Sequence, residues 1–91
     1  MNERDRALDL HRILNVVTGG DDATLRELAG RIAADRDEDA IRLLAATAQS
    51  SEPQHLRSRC LQVLALAAAE ADRATANRIM RALRRQGEEA R

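Results

Sequence analysis

Apolar residues recur along this chain at helical spacing, and nowhere do they alternate as a strand requires. The densest stretch runs from Cys60 to Ala71, CLQVLALAAAEA. Leu56, Cys60, Val63 and Ala67 fall on one stripe of a helix, and Leu61, Leu64, Ala68 and Ala71 fall on a second. Leu66 and Ala69 widen the apolar arc. A helix that is apolar nearly all round is normally buried among others, because one contact face could not cover it. The expectation is a central helix four, ending near Ala71, with the other segments packed around it.

The same periodicity places the rest of the chain. Helix one runs from about Arg4 to Val17, with Ala7, Leu10, Ile13, Leu14 and Val17 inward and Gly19-Gly20 as its stop. Helix two runs from about Ala23 to Ala34 on Leu25, Leu28, Ala29 and Ile32, with the carboxylates of Asp21 and Asp22 ahead of its positive end. Helix three runs from about Asp37 to Gln49 on Ala40, Ile41, Leu43, Leu44 and Ala48. The pairs Thr24/Glu27, Asp35/Glu38 and Ser51/Gln54 have capping-box spacing at the starts of helices two, three and four. Neither Gly nor Pro separates Pro53 from Gly87. Phase nevertheless divides that stretch, since one continuous helix would put Asp72 on the seam of Leu61, Ala68 and Ile79. A charge on a buried seam is costly, whereas Asp at a helix start is favoured. Asp72 is therefore expected to cap helix five, Arg73 to Gln86, with Ala76, Ile79, Met80 and Leu83 inward and Gly87 at its end. The fold class that follows is all-α. It is a five-helix bundle of two antiparallel αα-hairpins plus an N-terminal helix, in one domain spanning 1–91 with 1–3 and 87–91 frayed.

Weak internal repetition accompanies this pattern. Leu25-Arg26 and Ile32 parallel Leu56-Arg57 and Val63, and AIRLLAAT in helix three parallels ANRIMRAL in helix five. On Asp37, Ile41, Arg42, Ala45 and Ala48, and on Asp72, Arg78 and Ala82, residues 24–85 resemble HEAT-like helical repeats. The resemblance implies stacked helix pairs. Only two units are present, so helix one would close one end of the stack.

Composition narrows the function. Fifteen basic and fifteen acidic residues cancel, which removes any whole-protein pull toward nucleic acid or an anionic membrane. The chain has no Phe, Tyr or Trp, so it lacks the stacking platforms of single-strand binders. Every basic residue is arginine, which excludes Schiff-base chemistry and a phosphate-loop lysine. The alanine and arginine bias suits a GC-rich bacterial genome. The charged start MNERDRALD is unlike a signal peptide, and no apolar run reaches spanning length, so a cytoplasmic setting is expected.

Candidate chemistry is sparse. Asp9-Leu10-His11, after Glu3, Arg4 and Arg6, resembles the phosphoacceptor helix of sensor histidine kinases, with Arg12 where that helix has an acidic residue. The single Cys60 reads as a buried small hydrophobe, and with His55 five residues away it assembles no zinc site. Asp35, Asp37 and Asp39 alternate as in a calcium loop, but Ala40 and Ala46 stand where its glycine and bidentate glutamate belong. They read better as carboxylates at the positive end of helix three. Helices two and three have the rhythm of a helix-turn-helix, yet the reading helix would begin Asp37-Glu38-Asp39 and be repelled by phosphate. Arg73, Arg78, Arg81, Arg84 and Arg85 make helix five basic, and Arg78, Arg81 and Arg85 share the face away from Ile79 and Leu83. The expected function is a non-catalytic interaction or adaptor module with no cofactor or metal, taking an acidic protein partner through these arginines. A homodimer through helix one or five is also expected, with off-stripe Leu8 as a contact. The alternatives are a DNA-binding regulator and, more remotely, phosphotransfer at His11.

Overall fold

Five helices follow one another in the computed structural model, which describes the backbone of residues 3–89 and the side chains of residues 9–85. They are α1 (Glu3–Gly19), α2 (Asp22–Asp35), α3 (Glu38–Ala48), α4 (Gln54–Glu70) and α5 (Arg73–Glu89), and no strand occurs among the described residues. Helix α4 packs on all four others, most extensively on α2 and α3. α2 and α3 touch each other little, so the hairpin between them is a chain connection more than a packed pair. α5 lies against α3 and α4, and α1 against α2, α3 and α4. The radius of gyration is 12.3 Å, against about 12 Å for a close-packed chain of this length.

Small residues make this packing possible without aromatics. Leu25, Ile41, Leu44, Leu64 and Ile79 are the largest enclosed side chains, and Ala29, Ala40, Ala45 and Ala67 are fully buried between them. Alanine at a contact lets two helix axes approach closely. The expected inner faces of α2 and α3 hold, except that Leu28 and Leu43 are only half-buried. Two other faces differ from expectation. α4 is not covered all round: Leu61 is 42% exposed, and Ala65 and Ala69, one and two turns on, are also open. On α5, Met80 is 57% exposed and Thr75 takes a buried place beside Ile79. Met80 follows Ile79 by one residue, about 100° round the helix, so both cannot face α4 and α3 squarely. Leu8, expected at a dimer contact, lies outside the described side chains, as does Ala7.

The helix ends differ more. Asp21, not Thr24, caps α2, accepting from the Thr24 amide and the Thr24 hydroxyl at 2.8 Å each. Asp37, not Asp35, caps α3, accepting from the Ala40 amide at 3.2 Å. Pro53 precedes α4 with no side-chain cap, so Ser51 is not used as one. In the first two cases the carboxylate nearest the helix start takes the orphan amide donors. Asp72 caps α5 as expected, accepting from the Thr75 amide at 2.8 Å, and Ala71 before it is extended, which separates α4 from α5. α5 runs through Gly87 to Glu89 instead of stopping there.

None of the described glycines has positive φ, and the left-handed residue is Arg36 at φ 50°, ending α2. Gly20 is needed for a different reason than handedness. Its amide donates to the Val16 carbonyl at 2.7 Å, and a Cβ there would lie 2.6 Å from that oxygen. Gly30, inside α2, is instead replaceable, because a Cβ would meet only the Glu70 carboxylate tip at 3.1 Å. Glu70 is exposed and can swing aside. Gly30→Ala is expected to stabilise the domain by about 0.5–1 kcal/mol from helix propensity, read as a higher melting temperature in circular dichroism. A lower one would mean that Glu70 is held against α2.

Candidate functional site

The arginines singled out on α5 do not act as one group. Arg78, Arg81 and Arg85 line a groove of about 520 Å³ between α3 and α5, while Arg73 and Arg84 lie off its lining. α3 supplies Glu38, Ile41 and Arg42 to the other wall, and Ala82 completes the lining from α5. Ile41 is almost wholly buried and Ala82 half-buried, so they form an apolar floor under charged rims. Arg42 reaches Glu38 across one turn at 3.5 Å, with both side chains more than half exposed. That pair is loose and solvated, and pairs of this kind contribute little to stability. Four guanidinium groups against one carboxylate leave the groove with a formal excess of three positive charges.

Arg42 was the residue missing from the expected set. Its signal lay in the internal repetition, where AIRLLAAT and ANRIMRAL place Arg42 opposite Arg78. The packing of α3 on α5 then turns two equivalent positions toward one cleft.

Asp72 lies between Arg36, whose guanidinium is 2.7 Å away, and the Arg78 end of the groove. Its carboxyl is held below the ordinary 3.8, chiefly by the Thr75 hydroxyl, then by the Thr75 amide, with Arg36 and Arg78 adding attraction. A depressed carboxylate pKa stabilises the fold above the unfolded value and loses that contribution as pH falls through the folded value. Asp72→Ala is therefore expected to melt lower than the parent at neutral pH. The gap should narrow below the ordinary 3.8. An unchanged gap across that range, followed by thermal melts, would show that the ionised cap contributes nothing.

A second groove of about 490 Å³ lies between α1 and α2, with Ile13, Val16, Leu28 and Ile32 beneath Asp9, Arg12, Arg31, Asp35 and Asp37. Its charges are mixed and it does not include His11, which is exposed on α1. His55 is exposed at the start of α4, whereas Cys60 is enclosed in the core. Burial pushes the Cys60 thiol up to about 11, so it stays protonated and unreactive at neutral pH. Asp35 ends α2, Asp37 caps α3 and Asp39 lies in its first turn. Among the described residues no group of three His, Cys, Asp or Glu is placed to hold a metal ion. Among them also, no helix is long and apolar enough to cross a membrane. The chain matches no protein-family model, no curated protein and no solved structure.

Proposed function

We propose that this domain is a non-catalytic interaction module that receives an acidic segment of a protein partner in the α3–α5 groove. The observation that carries this reading is the grouping of Arg42, Arg78, Arg81 and Arg85 around the Ile41–Ala82 floor. Arginine's planar fork suits bidentate carboxylate pairing, and the apolar floor offers a place for one side chain between the pairs. The competing reading, duplex DNA on α2 and α3 as a helix-turn-helix, meets Glu38 and Asp39 in the first turn of α3. Those carboxylates sit where phosphates would approach.

Titration of isotope-labelled chain with poly-L-glutamate tests the proposal. Amide resonances of Arg42, Arg78, Arg81 and Ala82 are expected to move together and to return as salt is raised. A short DNA duplex at physiological salt is expected to leave them in place. Shifts confined to other helices, or a stronger response to the duplex, would sink it.

A further inference from the structure

We infer that the acidic partner enters the α3–α5 groove as an amphipathic helix. The inference rests on the reading just proposed and specifies the partner's form. Arg78, Arg81 and Arg85 are three, then four residues apart on one helix. At 1.5 Å per residue they form a ladder with rungs about 4.5 and 6 Å apart, about 10.5 Å in all. A helix bearing carboxylates at i, i+3 or i+4, and i+7 repeats that spacing and meets each guanidinium in turn. An extended segment presents alternate side chains about 6.7 Å apart on one face, so three of them span about 13 Å and leave the ladder's register. The groove has the remaining parts of a helix seat. Two helices form its walls, Ile41 and Ala82 floor it, and Arg42 stands on the opposite rim. An apolar residue beside the acidic stripe would enter over that floor, as in other helix-in-groove recognition.

The occupant is a different chain. Nowhere in this sequence do acidic residues fall at i, i+3 or i+4, and i+7, so a second copy cannot offer the ladder a matching stripe. Glu38 is the one lining residue that opposes an acidic guest. Its carboxylate holds Arg42 only at 3.5 Å, so its removal frees a guanidinium at small structural cost.

Two synthetic peptides of one composition test this, each labelled with a fluorophore. The first carries Glu at i, i+3 and i+7 beside one Leu on a helix-forming background, and the second has those residues scattered round the helix. Fluorescence anisotropy against the full chain is expected to show about tenfold tighter binding of the first, the preference three partly exposed ion pairs allow. Binding should disappear in Arg78→Glu/Arg81→Glu/Arg85→Glu, persist in Arg84→Glu, and strengthen in Glu38→Gln. Circular dichroism checks that the triple variant is folded, and Arg81→Gln, expected to weaken binding severalfold, replaces it if it is not. Equal affinity for the two peptides would overturn the helical form while leaving the acidic-partner reading standing. No binding of either peptide would overturn both. Binding undiminished by the substitutions, or a chain whose self-association rather than peptide uptake depends on Arg81, would remove the groove as the seat of an acidic helix.

Discussion

Leu64→Asp is expected to leave the chain without a cooperative folded state, while Leu61→Asp melts within a few degrees of the parent. The two leucines are three residues apart on the same helix. Leu64 is fully buried where α4 meets its neighbours, and Leu61 is 42% exposed. Truncating a buried leucine costs about 2–5 kcal/mol before any charge is considered. An unpaired carboxylate in the same place adds several kcal/mol, or takes up a proton and still lacks partners. A domain of this length has about 5–14 kcal/mol of total stability, so the sum is comparable to all of it. Far-ultraviolet circular dichroism during a thermal melt reads the outcome. A Leu64→Asp chain that melts cooperatively near the parent would show that α4 is not the centre of the bundle.

That contrast marks what hydrophobic patterning can and cannot show. Period and phase place five helices, and they separate α4 from α5 at Asp72, because a buried charge and a helix cap are opposite uses of one residue. They do not tell Leu61 from Leu64, or Met80 from Thr75, because these choices depend on which side a neighbouring helix occupies. Capping boxes were misplaced for a local reason. Asp21 and Asp37 each stand three residues ahead of the amide they accept from, and they outcompete Thr24 and Asp35 for the helix start. The groove was legible on its α5 side, where Arg78, Arg81 and Arg85 share a face in sequence. On its α3 side the sequence offered only the repeat that matches Arg42 to Arg78, because nothing local brings Arg42 and Ile41 to α5.

The least legible interaction is expected to have the largest effect after the core. Arg59, on α4, donates from Nε to the Val17 carbonyl at 2.6 Å and from Nη2 to the Gly20 carbonyl. The last carbonyls of a helix have no intrahelical donors, and α1 has no basic residue of its own in its last turn. Arg59 therefore supplies from about forty residues away what a local cap supplies elsewhere. It also ties α1 to the bundle, since Val17 is the sole fully buried residue among the described side chains of α1. Arg59→Met keeps the apolar stem of the side chain but removes both donors. Hydrogen bonds from a charged donor contribute about 1.5–3 kcal/mol each, and both of these are only partly buried, so a loss near the low end of the sum, about 3 kcal/mol, is expected. For a domain of this size that lowers the melting temperature by about 10–20 °C. Arg57 is the control on the same helix, because its Nε is buried without a hydrogen-bond partner among the described residues. Arg57→Met removes no such bond and is expected to shift the melt by a small fraction of that amount. Native-state hydrogen exchange locates the effect. In Arg59→Met the amides of α1 and of Gly20 should lose protection first, while those of α3, α4 and α5 retain theirs. Equal loss across all five helices would show that α1 is not a separable layer, and an unchanged melt would show that the two carbonyls are satisfied by water as well as by Arg59.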